Sequence, residues 1–501
     1  MSSHSEERLN TRYLAIFLIL GLLLRCVGLF LFPAGMEGDE AVVVYWGRKW
    51  IEEGRWLLIS YGEIPAWETP SAYFFGALDL WGISPRVGAV FISFLEVGLC
   101  YLWVLRRSSR ETALLAATFL ALMPWHFFFS YVLGPCVAGL WTSLYLLDLK
   151  NPFGRMFVSF GGLAYYASFR VVLLWGGLVN LMRRRWWKLG ADIAGAVTFF
   201  GALFLLGEDH IKGFISKGSY LVERGWQEAL HHYLNAVLLW WLPPLQTHWG
   251  KISEISMDDV GYGFANMLGP QSPLSYGTSL FFAWGLYICF KNRTDRDICG
   301  LFLLALVLVG FSPSYVHFPF ILPVVAFVAA VGASQILKKN QRAVMAVYLS
   351  LLLSLGTLAY MLGGLKSRDR WRIFSGDSEK VSQLVLAQTK APFIWTSGID
   401  YTKARLAADR AGIPITFFGI NHVDWLNRMQ MMERENKAKW VFIQAITMLE
   451  RPRPEIKNLL LEAQKDYEKR LILFENNHFI KSKKEISYDG ITLGVLYELG
   501  D

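Results

Sequence analysis

Charged residues are scarce in this sequence. Only 18% of its 501 residues are Asp, Glu, Lys or Arg, against about a quarter in an average soluble domain. That deficit excludes a chain that turns its whole surface to water. Cysteine is scarce too. Cys26, Cys100, Cys136, Cys289 and Cys299 are the five present, and their spacing fits neither a disulfide framework nor a zinc site. The tail from about Lys366 to Asp501 also lacks a glycine-rich phosphate loop and a nucleophile elbow, which leaves P-loop nucleotide chemistry and α/β-hydrolase chemistry without their signatures there.

Apolar residues fill the space: 54% of the chain is hydrophobic and 15% aromatic. They cluster in runs at Tyr13–Phe32, Ser84–Leu105, Ala113–Tyr131, Leu189–Leu206, Ser272–Phe290, Ile298–Phe311, Val316–Ile336 and Ala343–Leu362. Crossing a bilayer takes roughly 20 apolar residues per helix, so most of these runs are long enough to span. Gly134–Leu147 adds a shorter run. Met156–Met182 is too long for one helix and is broken by Arg170 and Gly176-Gly177, so it reads as two short helices. The total comes to about eleven spans, an α-helical polytopic protein of a plasma or inner membrane. The first run is too long for a signal-peptide core and reads as a retained anchor.

Lys and Arg concentrate in cytoplasmic loops of membrane proteins. Arg106 to Arg110, Lys150 to Arg155, Arg183 to Lys188, Lys291 to Arg293 and Lys338 to Arg342 all fall on one side of the expected bundle. The amino terminus is therefore expected in the cytoplasm. The loop Pro33–Gly82, the loop from Glu208 to about Pro270, and everything after Gly363 are expected outside. The formal charge of +8 follows from this topology, and no nucleic-acid partner is implied.

Residues 1–365 thus form an expected membrane domain. The second outer loop, about 208–270, holds Lys217, Arg224, His231 and His232, with an interfacial helix expected between Asn235 and Leu245. From Lys366 to Asp501 charge rises and strands alternate with helices, as in a small extracytoplasmic α/β domain. Strands are expected at Phe393–Ser397, Ile413–Ile420, Trp440–Ala445, Leu471–Phe474 and Ile491–Tyr497. Helices are expected at Tyr401–Ala411, Trp425–Asn436 and Pro454–Glu468.

The chemistry concentrates just beyond the first span, in Met36-Glu37-Gly38-Asp39-Glu40-Ala41. Trp67-Glu68-Thr69-Pro70 with Tyr73 follows, then Gly82-Ile83-Ser84-Pro85-Arg86 leads into the next span. Farther on come Ala121-Leu122-Met123-Pro124-Trp125-His126 and Ser312-Pro313-Ser314-Tyr315-Val316-His317-Phe318-Pro319. An Asp-Glu pair, a Glu-x-Pro with a close aromatic, a Gly-x-Ser-x-Arg and a late Pro-x-Tyr together resemble the GT-C superfamily. The protein O-mannosyltransferases and the lipid A aminoarabinose transferases are the similar branches. The latter carry a Lys after the Glu of Glu-x-Pro, where this chain has Thr69, and a Lys before the late Pro-x-Tyr, where it has Ser312.

The resemblance implies transfer of a sugar from a polyprenyl-phosphate carrier to a protein, lipid or glycan acceptor on the outer face, with inversion. An acceptor hydroxyl needs a base, and Asp39 is the candidate, with Glu40 and Glu68 as acidic neighbours. The leaving phosphate needs cations; Arg86, Arg170, Lys217 and Arg224 are candidates by position. Tyr73, Tyr315 and His317 join them as substrate contacts. A divalent metal would find ligands in Glu68 with His231 or His232. Arg25, inside the first span, is either paired with Glu96 or turned to the carrier phosphate, and His126 reads as a polar contact between helices. Two other readings stand beside this one: a transporter, which would place ionisable groups at the midplane, and an inactive GT-C-like scaffold.

Overall fold

The computed structural model describes residues 11–31, 38–57, 69–131, 133, 135–165, 168–206, 274–292, 295–310, 319–339, 343–365, 383–388, 393–397, 402–419, 439–444, 454–488 and 491–500. Contacts divide the chain into two compact units: Met1–Phe32 with Trp46–Leu365, and Pro33–Tyr45 with Lys366–Asp501.

Helices make up the membrane part of the chain. In order they are α1 (Thr11–Leu31), α2 (Gly38–Glu52), α3 (Thr69–Leu80), α4 (Pro85–Leu105), α5 (Arg110–Leu122), α6 (Pro124–Phe129) and α7 (Ala138–Leu146). There follow α8 (Pro152–Tyr165), α9 (Phe169–Met182), α10 (Trp186–Leu206), α11 (Tyr276–Lys291), α12 (Arg296–Gly310), α13 (Leu322–Lys339) and α14 (Ala343–Leu365). Local chemistry marks the ends. Pro85 opens α4, where the missing N–H costs nothing. Ser109 caps α5 by accepting the Thr112 N–H at 3.2 Å, with Glu111 in the first turn.

Five described segments are long and apolar enough to cross a membrane: Thr11–Leu31, Pro85–Leu105, Trp186–Leu205, Pro319–Lys338 and Ala343–Leu362. Their burial differs. The last turn-and-helix but one, centred on α13, packs against α5 and α11 and is covered almost all round. α1 instead leaves Ile16, Leu20, Leu23, Val27 and Phe30 exposed along its length. A stripe that size facing water would be a liability; facing lipid it is the expected outer wall. Close packing between α11 and α13 depends on two glycines. A Cβ on Gly285 would strike the Val328 carbonyl, and one on Gly332 the Phe281 carbonyl, the small-residue contact by which membrane helices approach.

Two expectations for the helices resolve differently. Met156–Met182 forms the two short helices α8 and α9, as its composition indicates. Ala113–Tyr131, expected as one span, is α5 followed by α6. Pro124 causes the break: Met123 before it is extended (φ −72°, ψ 126°), as the residue preceding proline is driven to be. The basic connections gather at one end of the bundle. Arg107 and Arg183 both reach Asp297 (2.9 and 3.6 Å), Lys188 pairs with Asp148, and Arg106 donates to the Leu147 carbonyl at 2.7 Å.

The second unit contains a five-stranded sheet of order β2-β1-β3-β5-β4. Here β1 is Phe393–Ser397, α15 Thr402–Ala411, β2 Ile415–Gly419, β3 Trp440–Gln444, α16 Pro454–Asn477, β4 Ile480–Tyr488 and β5 Ile491–Leu499. β1 runs parallel to β2 and β3, while β5 is antiparallel to β3 and β4. Alternation sorts the side chains. Val441, Ile443, Val495 and Tyr497 pack with Tyr467 and Phe474 of α16 on one face, and Phe442 and Leu496 pack with Val385 and Ile486 on the other. The expected strand Leu471–Phe474 is instead the last part of α16, because Tyr467, Leu471 and Phe474 recur at helical spacing toward the sheet. The strand that replaces it, β4, was not foreseen. The expected helix Trp425–Asn436 and the interfacial helix Asn235–Leu245 lie outside the described residues.

Candidate active site

Asp39 and Glu40 occupy the first turn of α2, immediately after the first span. Acidic residues at that position suit the positive end of the helix. The Glu40 side chain is almost completely buried, at 2% exposure, where a carboxylate needs a specific partner to remain charged. Farther along, α2 is held against α3 by close backbone contact and by one ion pair. A Cβ on Gly47 would collide with the Ala72 carbonyl, and one on Gly76 with the backbone of Gly47 and Arg48. Arg48 Nη1 lies 2.8 Å from Asp79 Oδ2, and Arg48 also reaches Glu52 at 3.6 Å.

Tyr73, on α3, closes the connection between these helices. Its hydroxyl accepts the Leu57 N–H and donates to the Arg55 carbonyl, both at 2.7 Å. Its ring lies 5.5 Å from both Trp50 and Trp56, stacked on the second at 20°. Trp56 is largely exposed. The candidate Tyr73 therefore stands in an aromatic row with Trp50 and Trp56, with its polar end already engaged by backbone.

Arg86 is the second residue of α4 and is buried. Arg170 is the second residue of α9. It lines a groove of about 450 Å³ whose other walls include Leu174, Leu178, Leu189 and Phe200, from α9 and α10. Glu68, Lys217, Arg224, His231, His232, Tyr315 and His317 lie outside the described residues. Among the described residues no three of His, Cys, Asp and Glu stand close enough to hold a metal ion.

Arg25 settles into a structural arrangement. Its Nη1 donates to the carbonyls of Gly21 (2.7 Å) and Ala121 (2.6 Å), and its Nη2 lies 2.8 Å from His126 Nδ1. An arginine can only donate, so His126 Nδ1 accepts and the ring proton sits on Nε2. That nitrogen faces Glu96 Oε2 at 3.5 Å. The expected Arg25–Glu96 pair thus exists only through His126, which joins α1, α4 and α6 as an interhelical polar contact. The Tyr131 hydroxyl adds a donor to the Arg25 carbonyl at 2.9 Å. Sequence reasoning missed the Arg48–Asp79 pair. Its one signal was an isolated Asp near the end of an otherwise apolar α3.

No protein-family model matches the sequence, and no curated protein matches it. Solved structures do match its fold. ArnT from Cupriavidus metallidurans, a lipid A aminoarabinose transferase, superposes in its apo state with a TM-score of 0.58 and 12% identity, covering 97% of this chain and 98% of that one. The same protein bound to undecaprenyl phosphate gives 0.55 and 10% identity over 97% and 98%. The oligosaccharyltransferase of Archaeoglobus fulgidus, in complex with Zn and sulfate, gives 0.52 and 13% identity over 96% of this chain and 72% of that one. The chain thus shares the fold of ArnT and of the oligosaccharyltransferase, both GT-C proteins, over nearly its whole length.

Proposed function

We propose that this protein is an inverting glycosyltransferase that moves a sugar from a polyprenyl-phosphate carrier to an acceptor on the outer membrane face. One observation carries the reading: an Asp-Glu pair opens the helix directly after the first span in a chain with this fold. A solved neighbour holds undecaprenyl phosphate, and the groove at Arg170 has the matching chemistry, a single guanidinium in a hydrocarbon wall. Such a site suits an amphiphile with one phosphate and an apolar tail.

In the proposed reaction the acceptor oxygen attacks the anomeric carbon from the side opposite the phosphate. The carbon–oxygen bond to phosphate breaks, and phosphate leaves with the bonding electrons. Asp39 takes the acceptor's proton. Glu40 and Glu68 orient the base and the sugar hydroxyls, and Arg86, Arg170, Lys217 and Arg224 serve the phosphate. Tyr73 through its ring, with Tyr315 and His317, completes the substrate contacts. A divalent ion held by Glu68 with His231 or His232 would withdraw charge from the leaving phosphate. The amino terminus is cytoplasmic and the sheet-bearing unit extracytoplasmic in this reading, and a protein, lipid or glycan serves as acceptor.

Mass spectrometry of lipids co-purified with wild-type protein and with Asp39→Asn tests the donor. Transfer in membrane vesicles with Asp39→Asn and Glu68→Gln tests the site. A retained polyprenyl-phosphate sugar with transfer lost in both variants is expected. Full transfer by both variants removes Asp39 and Glu68 from the mechanism, and a wild type that neither holds such a lipid nor turns over defeats the reading as an enzyme.

A further inference from the structure

At the end of the bundle where the basic connections gather, a polar cavity of about 60 Å³ opens between α7, α8, α9 and α12. Arg107, Arg155 and Arg185 line it, together with Asp148, Asp297 and Trp175. The cations around it are unequally matched. Arg155 is only 4% exposed and pairs with Asp192 (2.8 Å) and Asp148 (3.0 Å). The Asp192 carboxylate is fully engaged, because it also accepts from Tyr145, Ser159 and Asn180 at 2.9, 2.9 and 3.0 Å. Asp297 is shared by Arg107 and Arg183, and Asp148 by Arg155 and Lys188.

Arg185 is left over. Among the described residues its guanidinium has no side-chain partner, although its backbone N–H bonds the Asn180 carbonyl at 2.8 Å. Adding the neighbouring Asp295, five cations (Arg107, Arg155, Arg183, Arg185, Lys188) meet four carboxylates (Asp148, Asp192, Asp295, Asp297). The Nε–H of Arg155 is buried without an acceptor, a position that costs free energy until something accepts it. A single water needs roughly 10–15 Å³ of such space, so the cavity is several waters in size. Guanidinium groups converging on one space favour a tetrahedral oxyanion, and at a membrane face the abundant oxyanion is phosphate.

We propose that this cavity binds a phosphate group, carried by an anionic phospholipid headgroup or present as free phosphate. The inference rests on no part of the transfer reaction. The occupant's charge completes the balance that Arg185 leaves open, and it ties α7, α8, α9 and α12 together at that end of the bundle.

Two variants with opposite expected signs test it on the full-length protein. Arg185→Gln removes the surplus cation. Asp148→Asn takes the carboxylate from Lys188 and one of the two from Arg155, which keeps Asp192, and Asn tolerates the left-handed backbone there (φ 56°). The probes are inorganic phosphate, read by thermal stabilisation in detergent, and phosphatidylcholine nanodiscs with or without phosphatidylglycerol, read by lipid retained in native mass spectrometry. Wild type should bind in at least one arm. Arg185→Gln should weaken that binding about fivefold and Asp148→Asn tighten it by a similar factor, as expected for one charge at a membrane face. Response to inorganic phosphate assigns a soluble source; response only to phosphatidylglycerol assigns the lipid headgroup. No binding in either arm, or two variants that shift binding in the same direction or not at all, overturns the proposal.

Discussion

Arg25 on α1 and His126 on α6 meet at 2.8 Å in the interior of the bundle, and the direction of that hydrogen bond fixes the histidine's tautomer. Because the guanidinium only donates, the imidazole stays neutral and passes its own N–H toward Glu96. The neutral ring stands between the guanidinium and the Glu96 carboxyl, a place that neither neighbour can fill.

Removing the ring should therefore cost more than neutralising the carboxylate. His126→Ala leaves Arg25 and Glu96 buried without their bridge, and losses of about 3–5 kcal/mol are typical when a buried pair is broken. Glu96→Gln keeps an oxygen for the Nε2–H and should cost much less. Thermal unfolding of the detergent-solubilised protein compares them. Equal losses for the two variants would refute the bridging role.

Arg48 and Asp79 link α2 to α3, and α2 begins with the proposed base. A double-mutant cycle with Arg48→Gln and Asp79→Asn should give a coupling energy of about 0.5–3 kcal/mol, the range for contacting charged residues. Under the proposed reaction, transfer should fall in both single variants, because α2 and α3 lose their register at the Gly47–Gly76 contact. Additive stabilities would mean that backbone packing alone holds the helices.

Tyr73→Phe separates two roles for that residue. The phenylalanine keeps the stack on Trp50 and Trp56 but loses both hydrogen bonds to the Arg55–Leu57 segment. If the hydroxyl orders this segment, hydrogen exchange at Leu57 should rise and kcat should fall while KM for the donor stays near wild type. A rise in KM with unchanged exchange would instead place the hydroxyl on substrate.

Most of the helical architecture could be read from the sequence because the spans write their own signal. An apolar run the length of α1, α4 or α14 has one physical solution in a bilayer. The break at Met123–Pro124 is legible in the proline itself, but the apolar run continues through it and suggests a single helix. β4 shows the opposite failure. Its sequence, Ile480-Lys481-Ser482-Lys483-Lys484-Glu485-Ile486, has the charges that protect an edge strand from pairing with another chain, and those charges hide it from a search for apolar alternation. At the candidate site, Asp39 and Tyr73 are proposed from their neighbouring motifs. The Arg48–Asp79 pair was not, because 31 residues separate its members and nothing local ties them.

Glu475 gives the sheet-bearing unit a defined response to acid. It accepts from Lys483 Nζ at 2.6 Å and from the Tyr497 hydroxyl at 2.8 Å, joining α16 to β4 and β5. The hydrogen bond from Lys483 is the largest influence and holds its carboxyl below the ordinary glutamate value of 4.5; burial, the next largest, opposes it, and the Tyr497 hydrogen bond adds to the lowering. A carboxyl with a folded pKa below its unfolded one stabilises the fold above the unfolded value and loses that contribution as pH falls through the folded one. Protection of β4 amides, corrected for the intrinsic pH dependence of exchange, should be constant from neutral pH to about 5 and decline below the ordinary carboxylate range. Glu475→Gln should show the lower protection already at neutral pH and little further change on acidification. Because the pair is partly exposed, salt should diminish the difference between wild type and variant. A variant that followed the wild-type acid profile would move the titration to another carboxylate, with Glu498 next in line through its own bonds to Lys481 and Ser482.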